Sequence, residues 1–212
     1  MKRFVYGLLG IWISAVSISI AAPEPAIVQG PNLWTIDTEY THPEQIILQN
    51  TANNKPMVFW YIIITLTNNT GEDVGFYPKC DLMTDNFQII PEGKGVIPAV
   101  FEQIKQRYKS RYPFLESIST TDNKLLQGES NTKDIVIIWP DFNKKASNIT
   151  LFITGLSNET AVVDHPVAKT PTGQPEKVFL RKTLELKYAL KGDLNSRYGM
   201  STEFKGKRWI MR

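Results

Sequence analysis

The chain has 212 residues, 42% of them hydrophobic and 11% aromatic, with a formal net charge of +3. This composition is typical of a globular protein and excludes a largely disordered chain. Lys2 and Arg3 account for two of the 24 basic residues, so the rest of the chain carries 22 basic against 21 acidic residues, a net charge of +1. An exported protein of nearly zero charge is a poor partner for nucleic acid.

The first 21 residues predict an export signal. Lys2 and Arg3 form a positive head, residues 4–20 carry no charge, and Ser19-Ile20-Ala21 has the small-x-small pattern of a cleavage site. We expect cleavage after Ala21 and a periplasmic or extracellular location. The alternative is a retained membrane anchor, because an uncharged run over 4–20 approaches the shortest membrane span. Contact with a membrane is expected only in that case.

The chain after the signal has about 190 residues, which suits one domain with a sizeable core. We expect an extended N-terminal segment over 22–33. Residues 34–212 are then a single β-sandwich domain with a helical insertion near 98–112.

The strongest strand signal covers residues 57–68. Its even-numbered residues from Val58 to Leu66 are apolar, while the opposite face begins with Phe59, Tyr61 and Ile63 and then becomes polar. We therefore predict a central strand whose two faces are both covered at one end. The Asn-Asn-Thr-Gly sequence over 68–71 predicts a tight turn after this strand.

Other segments show the same period of two and predict further strands. In chain order they are 34–40, 83–89, 135–139, 149–154, 178–190 and 207–211. Residues 164–176, with three prolines and one glycine, predict a long exposed loop. Seven to nine short strands without regular helix alternation indicate a mainly β protein, an antiparallel immunoglobulin-like β-sandwich.

One segment has helical periodicity. Pro98 can begin a helix, Phe101, Ile104 and Tyr108 follow at three- and four-residue spacing, and Pro113 prevents continuation. We predict a short amphipathic helix over 98–112, which would be the lid over the apolar end of the central strand.

Cysteine and charge add two expectations. Cys80 is the only cysteine, so no internal disulfide can form, and an unpaired cysteine is expected to be buried.

Residues 22–92 carry nine acidic and two basic side chains, and residues 177–212 carry ten basic and three acidic ones. We expect the two ends to lie side by side and neutralise each other; the alternative is a basic partner-binding face.

Candidates for catalysis and metal binding are weak. His42 and His165 each precede a proline and lie in no recognised metal-binding or catalytic pattern. The carboxylates of Asp73, Asp81 and Asp85, with Glu72 near them, lack the spacing of a calcium loop and are expected to form a solvated acidic rim. The alternative is a Ca²⁺ site formed if the loops bring them together. We therefore predict no catalytic residue, no metal and no cofactor.

Aromatic residues next to basic ones give the best candidate binding residues, which are Tyr108, Arg111, Tyr112 and Phe114. Exposed rings near polar groups can stack on a sugar or hold a protein partner. The alternative is that these rings belong to the core, as aromatic residues at helical spacing often do.

Two stretches, WYIIITLTNNTGEDVGFYPKC over 60–80 and LFITGLSNET over 151–160, resemble immunoglobulin-like β-sandwich domains of uncharacterised exported bacterial proteins. In such domains a long apolar strand ends in an Asn, Thr and Gly turn. The resemblance covers roughly 34–190 and is specific only around 60–77. It implies a fold and an envelope location, and it transfers no catalytic residues. The chain departs from true immunoglobulin domains by lacking paired cysteines.

These observations favour an exported, non-enzymatic protein that is a binding or structural component of the cell envelope. Its partner would be an envelope protein or a polysaccharide. A carbohydrate-binding module is the first alternative, and it would rest on exposed rings among Tyr108, Tyr112 and Trp139. A secreted hydrolase, which would need His165 beside a Ser, Asp or Glu in a cleft, is the second alternative.

Overall fold

A computed structural model describes residues 26–30, 32–50, 53–193 and 196–212. The predicted signal over 1–21 and the beginning of the N-terminal segment lie outside the described residues. Within the described ranges, no helix is both long enough and apolar enough to cross a membrane.

The described chain is mainly β, with strand residues making up 51% and a single α-helix among the described elements. A short 3-10 turn, Glu129–Asn131, precedes the tenth strand. In chain order the elements are β1 (Ala26–Ile27), β2 (Asp37–Tyr40), β3 (Glu44–Gln49), β4 (Pro56–Thr67), β5 (Val74–Gly75), β6 (Lys79–Thr84), β7 (Ile89–Pro91), α1 (Pro98–Tyr108), β8 (Glu116–Ser117), β9 (Lys124–Leu125), β10 (Lys133–Pro140), β11 (Asn148–Thr154), β12 (Thr160–Lys169), β13 (Pro175–Lys191) and β14 (Ser201–Met211).

The first large sheet, sheet A, contains β1, β6, β7 and β11 to β14. Strand β13 organises it. The backbone N–H of Lys182 donates to Glu159, just before β12, and that of Leu190 donates to Ser147, just before β11. In a strand, alternate residues direct their backbone N–H groups toward the same edge, and 182 and 190 are both even-numbered. Strands β12 and β11 therefore pair one after the other along the same edge of β13. Strand β14 pairs along the other edge.

The second large sheet, sheet B, is built on β4. Strand β3 pairs with the first half of β4 and β2 with the second half, while β10 runs antiparallel along its other edge. The register places Trp60 opposite Trp139 and Ile62 opposite Ile137. Strand β8 extends the sheet by a short parallel pairing with β10.

The two sheets pack face to face around the main core. The even-numbered side of β4, from Trp60 to Leu66, packs against sheet A, and each of these side chains is fully buried. Cys80 also lies in this core, as expected, and burial raises the pKa of its thiol well above the ordinary value. The predicted packing of antiparallel sheets is therefore confirmed.

A second hydrophobic cluster covers the outer face of β4. Phe59, Tyr61 and Ile63 are buried there beneath Val100 and Ile104 of α1. The predicted lid is confirmed, although the helix is shorter than 98–112. It ends at Tyr108, and the following residues form a turn in which the Tyr112 N–H donates to the Tyr108 carbonyl.

The prediction of a long loop over 164–176 is wrong. Strands β12 and β13 form a β-hairpin through this region, closed by a turn in which Thr170 N–H donates to the Gln174 carbonyl. Much of this hairpin is exposed, so its side chains have no reason to alternate, and its order comes from backbone pairing. The proline at 166 lies where the register shifts between Asp164 and Lys169.

The prediction of a single strand over 83–89 is also wrong. Strand β6 ends at Thr84, and a turn reverses the chain into β7. Phe87 lies in that turn with a φ of 63° and is 84% exposed. Its apparent alternation with Met83 and Ile89 is therefore accidental. The strand expected over 34–40 is shorter than predicted, since β2 begins at Asp37.

The acidic and basic ends of the chain meet through an ion pair between Arg212 and Asp81, at 3.1 Å. Some basic residues of the C-terminal segment pair inside it, as Lys191 and Lys205 do with Glu203. Others, such as Lys182, pair with acidic residues in the middle of the chain. The expected neutralisation between the ends is therefore partial.

A buried ion pair joins the sheets at one end. Arg197, only 2% exposed, donates through Nη2 to Oδ1 of Asp141 at 2.5 Å, and the Trp60 indole donates to the same oxygen at 3.0 Å. The guanidinium lies 4.6 Å from the centre of the Phe142 ring. No sequence pattern indicated this cluster, because its members are far apart in the chain.

We expect Asp141→Asn to lower the free energy of unfolding by about 3 kcal/mol, because it leaves the Arg197 charge buried without a counter-ion. Urea denaturation measures the change. Lys144→Ala, at an exposed site on the same loop, is the matched control and should change stability by less than about 0.5 kcal/mol. Equal effects of the two substitutions would contradict the importance of the pair.

Two glycines with positive φ provide a test of close packing between β6 and β11. Gly155 has φ of 85°, and a Cβ there would lie 2.6 Å from the Tyr77 carbonyl oxygen. Gly173 has φ of 82°, and a Cβ added there would have no atom within 4 Å. Gly173→Ala should cost about 1 kcal/mol of strain, and Gly155→Ala about 1–3 kcal/mol more because the backbone must move. Equal losses in urea denaturation would exclude the close contact.

Candidate functional site

A polar groove lies on the outer face of sheet B, beside the end of the helix. Its volume is about 270 Å³. The lining residues, here called the tyrosine groove, are Glu39, Tyr40, Thr41, Glu44, Ile63, Thr65, Tyr108, Arg111 and Tyr112.

The groove exists because the lid is shorter than the strand beneath it. Helix α1 has 11 residues and β4 has 12. A helix of that length spans only about 16 Å, against about 40 Å for the strand. The helix therefore covers the apolar end of β4, where Ile63 is only 1% exposed, and leaves the half-buried Thr65 beside the groove. The change from apolar to polar residues along this face of β4 marks where the part covered by the helix ends and the groove begins.

A hydrogen-bond network fixes one wall of the groove. The Tyr61 hydroxyl donates to Glu44 Oε2 at 2.8 Å, and the Tyr108 hydroxyl lies 3.1 Å from the same oxygen. Arg107 donates through Nη1 to the Tyr61 hydroxyl at 3.1 Å. The rings of Tyr61 and Tyr108 meet edge to face, with centroids 6.2 Å apart. Tyr108 is thus held by both its ring and its hydroxyl.

These contacts shift the acid–base properties of both tyrosines. Burial, followed by hydrogen bonding with Tyr108 and the adjacent Glu44 carboxylate, raises the pKa of Tyr61 far above its ordinary value. Burial also raises the pKa of Tyr108, and the charge of Glu44 acts in the same direction. Both phenols therefore remain protonated and able to donate at any physiological pH.

The turn after the helix contributes a guanidinium to the groove. The Arg111 side chain lies over the Tyr112 ring, 5.2 Å from its centre. Within the described ranges, neither Arg111 nor Glu39 takes part in an ion pair. The groove thus contains a carboxylate and a guanidinium that do not neutralise each other directly.

Three of the four candidate binding residues come together in this groove. Tyr108, Arg111 and Tyr112 line it, whereas Phe114 is 83% exposed and lies outside it. Tyr108 and Tyr112 are half-buried and also pack against the hydrophobic cluster under the helix. Binding and core roles therefore share the same rings.

The sequence did not indicate the groove residues contributed by β2, β3 and β4. Glu39 and Thr65 are register partners, and Glu44 is the register partner of Tyr61. The polar alternation of these strands predicted an exposed face. It could not predict that this face lies beside the helix, because strand pairing is not encoded in the period of one strand.

The remaining candidates have structural roles. Trp139 is fully buried, so it cannot bind a ligand at the surface. His165 accepts hydrogen bonds at Nδ1 from the N–H groups of Val167 and Ala168, which shapes the irregular part of β12. His42 packs edge to face against Tyr188, with ring centroids 5.7 Å apart.

The acidic residues near 72–85 also act separately. Asp73 pairs with Lys124, and Asp81 pairs with Arg212. Asp85 accepts hydrogen bonds from the loop before β11, which lower the pKa of its carboxyl against the effect of burial. In the part of the chain that the structure describes, no group of three His, Cys, Asp or Glu residues could hold a metal ion.

The Asn-Asn-Thr-Gly turn is explained by one buried side chain. Asn68, 2% exposed, accepts from the Thr70 backbone N–H through Oδ1 and donates through Nδ2 to the carbonyls of Glu72 and Leu125. It closes the turn after β4 and ties it to β9.

Comparison with known proteins gives no relative from which a role could be transferred. No protein-family model matches the chain, and neither a curated protein nor a solved structure does.

The raised tyrosine pKa values predict a loss of stability in alkali. A tyrosine whose pKa is higher in the folded than in the unfolded state stabilises the fold fully below the unfolded pKa of about 10. Above it the unfolded chain ionises first, so the free energy of unfolding should fall by up to about 1.4 kcal/mol per pH unit for each such group.

Urea midpoints between pH 9 and pH 11.5 measure this effect. Tyr61→Phe should reduce the slope against pH, as should Tyr188→Phe, since burial also raises the pKa of Tyr188. Tyr77→Phe, at a side chain that is 65% exposed, should leave the slope unchanged. A slope that does not differ between Tyr61→Phe and the parent protein would contradict the prediction.

Proposed function

We propose that this protein is an exported, non-enzymatic β-sandwich protein of immunoglobulin-like type, which binds a component of the cell envelope in the tyrosine groove. The export signal over 1–21 supports the location. Two packed antiparallel sheets around one long central strand support the immunoglobulin-like assignment.

The observation that carries the proposal is the preorganised wall of the groove. Tyr108 is fixed by its contacts with Tyr61 and Glu44 while remaining only half-buried. A ligand that contacts this ring therefore does not have to immobilise it, which removes part of the entropic cost of binding. Aromatic residues held in this way are the common anchors of binding surfaces.

The groove also contains the chemistry of specific recognition. Hydroxyl groups of Thr41 and Thr65, a carboxylate from Glu39 and the guanidinium of Arg111 surround a small cavity. Its volume of about 270 Å³ is close to the lower limit for ligand sites. It suits one unit of a larger partner, such as a short peptide segment or a single sugar.

A carbohydrate-binding module is the second candidate. The half-buried rings of Tyr108 and Tyr112 next to threonine hydroxyls and carboxylates favour it, because sugars present apolar faces with hydroxyls around them. Trp139, which is fully buried, contributes nothing to this function.

Substitution of the groove tyrosines tests the proposal. The purified protein should retain a specific component from an envelope extract, and Tyr112→Ala should weaken that interaction about tenfold through loss of a contact surface. Binding of the isolated component is then measured by calorimetry.

Phe114→Ala is the matched control, because this ring lies two residues from Tyr112 and outside the groove. It should bind as tightly as the parent protein. Equal binding by both variants, with both folded by circular dichroism, would place the binding surface elsewhere. Recovery of no component by a monomeric parent protein would contradict the binding function itself.

A further inference from the structure

The tyrosine groove is lined by charged residues of both signs. Glu39 and Glu44 come from β2 and β3, and Arg111 comes from the turn that follows the helix. Glu44 already accepts hydrogen bonds from the hydroxyls of Tyr61 and Tyr108. Glu39 and Arg111 have no ionic partner among the described residues, although they line the same cavity.

Glu39 and Arg111 are exposed, but both lie beside ordered neighbours. The Arg111 guanidinium is positioned over the Tyr112 ring, and Glu39 is placed by its register with Thr65 across sheet B. Thr65 is itself held by a hydrogen bond of 2.6 Å to Asp134. Two opposed charges on a rigid scaffold are complementary to a ligand that carries both signs.

We propose that the groove takes a short peptide segment of a partner protein that carries one basic and one acidic side chain, an inference that rests on the binding function proposed above. The basic side chain binds between Glu39 and Glu44, and the acidic side chain pairs with Arg111. A carboxylate can accept two parallel hydrogen bonds from a guanidinium, which fixes the direction of the bound segment.

The charges favour a peptide over a neutral sugar. A neutral sugar could contact the tyrosine rings, but it would leave Glu39 and Arg111 without charged partners while displacing their water.

The test uses four capped tripeptides and the purified full chain. The first is acetyl-Lys-Gly-Glu-amide, and the others replace Lys, Glu or both by Gln. Calorimetric titration at low salt should show the charged peptide binding at least tenfold more tightly than the doubly neutral one. Added salt should reduce the difference, because the pairs are exposed to solvent.

Matched variants test which groove residue pairs with each charged side chain of the peptide. Arg111→Gln should abolish the increase in affinity that the peptide glutamate provides and keep the increase that the peptide lysine provides. Glu39→Gln should abolish the increase from the lysine and keep that from the glutamate. Lys109→Gln and Glu102→Gln are the controls, since both side chains are exposed nearby and line no part of the groove. They should leave all four affinities unchanged.

Three results would overturn the inference. The first is equal binding of the charged and neutral tripeptides, and the second is equal loss of affinity for all four peptides in Arg111→Gln and Glu39→Gln. The third is that no tripeptide binds, while a neutral oligosaccharide binds and loses affinity in Tyr112→Ala. In that case the groove remains a binding site, and only the peptide assignment fails. If Tyr112→Ala also failed to weaken binding of the oligosaccharide, the proposed function would fail together with the peptide assignment.

Discussion

The burial of β4 on both faces is the constraint on which the rest of the structure depends. Its even-numbered residues from Trp60 to Leu66 pack between the sheets, and Phe59, Tyr61 and Ile63 pack under the helix. Burial of one large apolar side chain contributes about 1.5–3 kcal/mol, so neither face could be left in water. The strand therefore requires a partner sheet on one side and a lid on the other. An 11-residue helix is unstable alone, and this packing stabilises it.

The candidate site follows from the same constraint. The lid ends where the outer face of β4 becomes polar, and the space beyond its last turn is the tyrosine groove. Tyr61 belongs to both regions, because its ring is buried under the helix and its hydroxyl binds Glu44 and Tyr108. Any change that moves the helix would thus also move the wall of the groove. The stability of the fold and the shape of the groove are therefore coupled through a single side chain.

Sequence patterns predicted the elements that have a regular apolar face. The central strand, its lid and the long β13 strand are examples, and the burial of Cys80 follows from the same reasoning. The hairpin over 164–176 was not predicted, because its exposed side chains need no periodicity and only the backbone pairs. Three of the nine groove residues, Tyr108, Arg111 and Tyr112, were predicted from the sequence. The other six, including Glu39, come from strands or their connections and depend on strand pairing.

The period of two in β4, the apolar spacing of α1 and the turn residues after Thr67 are local properties, so the amino-acid sequence alone determined that a doubly covered strand and its lid would form. The contact of Arg197 with Asp141 and the meeting of Glu39 with Arg111 in one groove join residues that are 56 and 72 positions apart. Only the tertiary structure decided these, because register and the relative placement of sheets arise from packing summed over the whole core.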